Sequence, residues 1–368
     1  MLEELQSYCG HAFEAERVFT AQLPLGDEPM VSFWEKCVAE AASRGSFAAL
    51  RSRLPQLCFP IRAGISGDPQ YLAATRRGVE PGELAAATGL ALRRPAALGV
   101  VLHPSAAGRI PVITTRCRED FVSLVQALSK RNEPWPVPAA MGAQMISGYL
   151  SWGRVRELRQ AWEATPVKER VTATFADELE RLKPQRELYQ DRFILLSDGP
   201  YSAVPAAALG LEEAHWREIS LAIRREHECT HYFTRRLFGV MRNHLLDELI
   251  ADYVGVTAAM GRLQPGWLPR FLGIEELPRY RSGGRLEVYQ GTPPLSPAAF
   301  EVIQRLAFAA VANLARFDAS RLPPLDTPRA RALCIAALAS LRLDELAGAA
   351  ALDRLNASYD RIIAWAAR

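Results

Sequence analysis

Apolar residues recur at three-and-four spacing through most of the chain, the pattern of helices with one buried face. Along residues 211–237, Trp216, Ile219, Ile223, His227, Thr230 and Thr234 fall on one stripe, and Gly239 stands where a helix C-cap belongs. Leu245, Leu249 and Val256 mark a second helix from about His244 to Met260, with Asn243 at its N-cap. Helices are also predicted over residues 12–20 and 31–49, from Glu83, over 118–130, and at about 139–162 and 168–189. Ser296-Pro297 and Asp326-Thr327-Pro328 each supply a capping residue followed by a proline fit for a first turn. The last helix runs from about Leu343 to the end.

A few stretches break this pattern. Residues 97–103 and 110–115 are rich in β-formers and flank Pro104-Ser105-Ala106-Ala107-Gly108, which predicts a hairpin. Pro111 puts its strand at an edge or a bulge. Residues 192–197 read as a short strand, either a core strand or one whose edge pairs with extended substrate backbone. Arg285-Leu286-Glu287-Val288-Tyr289 reads as one strand of a hairpin turning at Gly283-Gly284, in an irregular stretch that serves as a lid or a plain connector. The expected class is therefore mainly α with a small β component, α+β. The stiff Pro-rich connector at 132–138 is the best boundary. It gives an N-terminal α+β region at 1–138, a metal-binding core at 139–262, and a lid segment with a helical C-terminal region at 263–368.

The chemistry sits on the two striped helices. His227-Glu228-Cys229-Thr230-His231 is an H-E-x-x-H pattern. Two histidines four residues apart lie one turn apart on one helix face, so both imidazoles can reach one metal ion. Glu228 is rotated about 100° away, which leaves it free to take a proton from a water at the metal. That division of labour reads as zinc-dependent hydrolysis. A third protein ligand is expected from Glu248 on the next helix, with Asp252 one turn on to accept the outer N–H of a ligating histidine. His244, a turn before Glu248, reads as a first-turn residue that hydrogen-bonds locally, with a ligand or an electrophile as the alternatives. Tyr201, Tyr232, Tyr280 and Tyr289 are candidates for stabilising an oxyanion.

The pair HExxH then ExxxD, followed by an aromatic, an apolar residue and Gly255, resembles the gluzincins, the thermolysin-like zinc metallopeptidases. The resemblance covers roughly residues 219–256. It implies a zincin-like core, one Zn2+ per chain bound by His227, His231 and Glu248, Glu228 as general base, and Asp252 as partner of His227. The metzincin pattern is excluded, because its third histidine would fall on Leu237.

Composition narrows the setting. In 368 residues, 49% are hydrophobic and 23% charged, as in a water-exposed globular protein. A formal net charge of only +3, with no basic block, argues against a nucleic-acid partner. Six scattered cysteines form no C-x-x-C pair, the N-terminus has no apolar signal region, and no membrane span is expected. A cytoplasmic protein is expected, acting on a peptide or small-molecule amide such as a pathway intermediate. Two other classes remain open: a non-haem iron oxygenase using two histidines and one carboxylate, and a catalytically inactive zincin-fold binding protein.

Overall fold

Phe193, Ile194, Leu195 and Leu196 are all fully enclosed, and a strand built of such a run must be covered on both faces. In the computed structural model, which describes residues 1–10, 13–239, 245–320 and 325–368, that run forms strand β4 (Gln190–Ser197) inside a four-stranded sheet. The other strands are β1 (Gly99–Ser105), β2 (Gly108–Thr115) and β3 (Ala143–Leu150), in the order β1-β2-β4-β3. β2 runs parallel to β4, with Val112 opposite Ile194. β3 runs antiparallel, with Met145 opposite Ile194 and a register shift around Gly148, whose φ of 72° a glycine adopts without strain.

The sheet decides one open expectation and corrects two. β4 is paired on both sides, so it is a core strand and has no free edge for a substrate. β2 is internal despite Pro111; its ladder to β4 begins at Val112, so the missing N–H falls outside that ladder. Residues 143–150 are strand where a helix was expected, because pairing with β4 outweighs the helix propensity of Ala143, Gln144 and Met145.

By contacts the chain divides into two units: Met1–Gly26, Pro104–Gly108 and Gly199–Arg368 in one, Asp27–His103 and Arg109–Asp198 in the other. These do not follow the three expected segments. The 132–138 connector lies within the second unit, because β3 and β4 return to the same sheet as β2.

In the second unit the helix expected at 31–49 is two, Val31–Arg44 and Ser46–Arg51, broken at Gly45 with φ of 84°. The expected helix after Glu83 is a single turn, Pro81–Glu83. Beyond it the chain makes a second turn, the Ala87 N–H bonded to the Leu84 carbonyl at 3.0 Å; Ala86 and Ala87 pack against the cluster of Phe59, Ile65 and Tyr71, and the Ala86 N–H donates to Gln70 Oε1 at 2.8 Å. The polar heart of this unit is the ion pair Arg154–Asp191 at 2.7 Å, with side chains 5% and 1% exposed. Trp34 Nε1 donates to the other Asp191 oxygen at 3.0 Å, and Arg154 also donates to the Gln190 and Glu187 carbonyls. Burial pushes the Asp191 carboxyl up, against the pull of Arg154.

The first unit is helical. Its longest helix, Glu213–Phe238, ends at Gly239 in the left-handed conformation, its N–H bonded to the Arg235 carbonyl. Leu245–Met260 packs along it. A Cβ on Gly255 would lie 2.8 Å from the Ile223 carbonyl oxygen, so glycine lets the two helices approach there. Leu245–Met260 is buried all round from Leu245 to Thr257, more than its stripe alone implied. Tyr253 and Leu263 both donate to Asp318 on the helix Pro297–Ser320. That helix is long and apolar enough to cross a bilayer, but Ile303, Ala307, Ala310, Leu314 and Phe317 on it are core residues, and it packs on Leu343–Ala347 and Ala351–Ala366. Thr327 caps Pro328–Leu338 through its hydroxyl. The chain is thus mainly helical with a small four-stranded sheet, an α+β fold.

Arg154→Ala leaves Asp191 buried without its cation. It is expected to destabilise the protein by about 3–5 kcal/mol, read as a lower urea midpoint with an unchanged slope.

Candidate metal centre

A helix enclosed on every side that carries Asp247, Glu248 and Asp252 has three buried carboxylates to satisfy. Two of them meet the histidines of the facing helix. His227 Nδ1 lies 3.0 Å from Asp252 Oδ1, and His231 Nδ1 lies 3.1 Å from Asp247 Oδ2. A carboxylate accepts only, so each imidazole carries its proton on Nδ1 and turns its Nε2 lone pair away from the acid. The two Nε2 atoms face each other at 3.0 Å. Glu248 completes the group, its oxygens 3.4 Å from His227 Nε2 and 3.5 Å from His231 Nε2. His227, His231 and Glu248 are 7%, 6% and 5% exposed.

Two lone pairs and a carboxylate aimed at one point repel unless a cation lies between them. Metal bonds of about 2.0–2.1 Å in tetrahedral array put ligand atoms about 3.3 Å apart. The observed separations of 3.0, 3.4 and 3.5 Å match that spacing. The donor set, two imidazoles and one carboxylate, suits zinc and also divalent iron. Without a metal the group holds protons instead. Burial alone would lower the His231 imidazole, but the Asp247 and Glu248 charges outweigh it and hold it well above its ordinary value. The same contest leaves His227 raised, through its hydrogen bonds with Asp252 and Glu248. Glu248 is held well below the usual carboxylate range: burial would raise it, and His231 and His227 overcome that.

A further ring of side chains fixes these groups. Tyr201 donates to Asp252 Oδ1 at 2.6 Å, and its oxygen lies 2.9 Å from His227 Nδ1. Arg224 holds the Tyr201 loop by donating to the Gly199 and Pro200 carbonyls, and its guanidinium lies over the Tyr201 ring. From the irregular segment comes a short 3-10 helix, Arg285–Tyr289. Its two ends both reach the centre. Arg285 pairs with Asp252 and donates to Ser202 Oγ, while Tyr289 donates to Glu248 Oε2 at 2.8 Å. Arg285 also lies over the Tyr201 and Tyr289 rings.

The expected strand at 285–289 is therefore this 3-10 helix, and its chemistry is contact with the acids of the centre. Tyr201 and Tyr289 join the cluster. Tyr280 does not: its hydroxyl donates to the Gly284 carbonyl and accepts from the Glu287 N–H, which shapes the segment itself. Tyr232 is a core residue under Arg236. His244 and Asn243 lie outside the described residues. Glu228 is half-buried beside His227, with no hydrogen bond or ion pair among the described residues. Sequence reasoning missed Asp247 and Arg285. Asp247 sits sixteen positions beyond His231, directly before the Glu248 already assigned as ligand, and that adjacency was its only signal. Arg285 carried none.

Residues 1–350 match the model of a family described as "Family of unknown function (DUF7005)". No curated protein and no solved structure matches the chain.

Asp247→Asn can present an amide N–H to His231 Nδ1 and so reverse the tautomer. It is expected to weaken divalent-metal binding about 10–100-fold with the fold intact, measured by competition against a chromophoric chelator and by circular dichroism.

Proposed function

The chain belongs to this family of unknown function, and we propose that it is a zinc-dependent hydrolase with a zincin-like core, cleaving a peptide or small amide. The observation that carries this reading is the meeting of His227 Nε2, His231 Nε2 and the Glu248 carboxylate, all within 4.8 Å of one another. Zinc bound there would act as a Lewis acid on a carbonyl and lower the pKa of a water. Asp252 and Asp247 would hold the two imidazoles in the tautomer that offers Nε2. Glu228, adjacent to the ligand face and free of other partners among the described residues, would take the water's proton and pass it to the leaving amine. Tyr201 and Tyr289 would orient Asp252 and Glu248 by the hydrogen bonds they donate. The six cysteines are free and buried, which accords with action in a reducing, cytoplasmic setting.

One observation favours a second reading. Every proposed ligand is enclosed, and Arg285 and Tyr289 occupy acids of the centre from outside. A zincin-fold protein that uses its metal to hold structure, with no turnover, accounts for that enclosure.

Elemental analysis of natively purified protein is expected to give one zinc per chain. Iron as the main metal would favour the oxygenase chemistry of the same ligand set and refute the hydrolase. Glu248→Ala is expected to lose the metal, while His244→Ala keeps it; the reverse outcome would exchange the two assignments.

Glu228→Gln keeps the shape of the side chain and removes the base. It is expected to retain zinc and lose about 10²–10⁴-fold in turnover on whichever member of a peptide and acyl-amide panel the unaltered protein cleaves. Equal rates for the two proteins would remove Glu228 from the mechanism. A panel that neither protein touches would favour the structural-metal reading.

A further inference from the structure

Wholly within the unit that carries the sheet, and sharing no residue with the histidine cluster, lies a cleft of about 400 Å³. That volume is in the usual range for small-molecule sites, about 300–1,000 Å³. Arg44, Arg51, Arg53 and Arg156 line it against one carboxylate, Glu80, in a chain whose formal net charge is only +3. Phe47 and Trp152 supply aromatic wall. The Trp152 ring is fixed in place. Its Nε1 donates to the Thr75 carbonyl at 3.0 Å, and it packs so closely on Gly78 that a Cβ there would lie 2.6 Å from the ring.

The arginines differ in what already holds them. Arg53 is anchored: its Nη1 donates to Glu40 Oε2, the Ala49 carbonyl and Ser52 Oγ, and its side chain is 12% exposed. Its Nε is shielded from solvent and has no acceptor among the described residues. A buried donor without an acceptor costs about 1–3 kcal/mol. Arg51 has no ion pair among the described residues. Arg156 pairs with Glu80 at 2.9 Å, both about half exposed, a bond that water and a competing anion can replace. Arg44 pairs with Glu40 and is mostly exposed.

We propose that this cleft binds an organic phosphate that carries a flat ring, the phosphate among the arginines and the ring against Trp152 and Phe47. One carboxylate needs one guanidinium fork; several arginines converging on one cleft suit a group with more than one negative charge. The site binds and does not react. Its one thiol, Cys58, is bonded to the Arg51 carbonyl, and burial pushes it above its ordinary range. The cleft shares no residue with the histidine cluster, so the proposal stands or falls separately from the hydrolase reading.

The test is isothermal titration of the full chain with three probes: ADP, inorganic pyrophosphate and adenosine. ADP is expected to bind with a Kd below about 100 µM at low salt, and at least about tenfold more tightly than either fragment. Arg51→Glu, on an exposed side chain, is expected to weaken ADP about tenfold or more while thermal unfolding stays unchanged. Glu248→Ala, confirmed as folded, should bind ADP as the unaltered protein does. No ADP binding at millimolar concentration would overturn the proposal, as would equal affinity for pyrophosphate. Full affinity in Arg51→Glu, or ADP binding lost in Glu248→Ala, would place the ligand elsewhere and have the same effect.

Discussion

Two imidazole nitrogens, each with its lone pair forced outward by a carboxylate behind it, meet 3.0 Å apart on buried side chains. This is the constraint on which the helical unit turns. A lone pair cannot satisfy a lone pair, and the Glu248 carboxylate adds negative charge to the same point. Some cation must lie there, a proton or a metal. The helices Glu213–Phe238 and Leu245–Met260 can pack together only because that demand is met.

The acids behind the histidines create a second demand. Asp252 is fully buried and accepts from Tyr201 and from Arg285 as well as facing His227. Burial would raise its carboxyl, and the nearby Arg285 charge and the His227 hydrogen bond hold it below its ordinary value. The Arg285–Tyr289 turn thereby balances the charge of the centre at one end and bonds its Glu248 carboxylate at the other.

The sheet unit solves a similar problem differently. Its buried carboxylate, Asp191, faces one fixed guanidinium and one indole N–H, so no mobile ion is called for. Four other arginines of this unit, Arg44, Arg51, Arg53 and Arg156, line the cleft walled by Trp152, with Glu40 and Glu80 pairing three of them. One unit concentrates acids around imidazoles, and the other sets arginines beside aromatic rings.

The sequence by itself determined the helix pair and the meeting of its ligand-type residues. Spacing of four on a helix is a geometric statement that holds whatever surrounds it, so His227 with His231, and Glu248 with Asp252, were placed on common faces without a structure. The apolar run at 192–197 was legible as a strand, but only the sheet, which pairs it on both sides, decided that it is a core strand. Only the tertiary structure decided the rest. Residues 143–150 are locally ambiguous and became strand because β4 had an open side. Asp247 was hidden by its neighbour Glu248; which acid serves which histidine depends on the rotation of one helix against the other. Arg285 and Tyr289 reach the centre from more than thirty positions beyond it, on a turn whose local sequence reads as a strand. A contact over that distance is set by how the intervening chain packs, and no local pattern of residues encodes it.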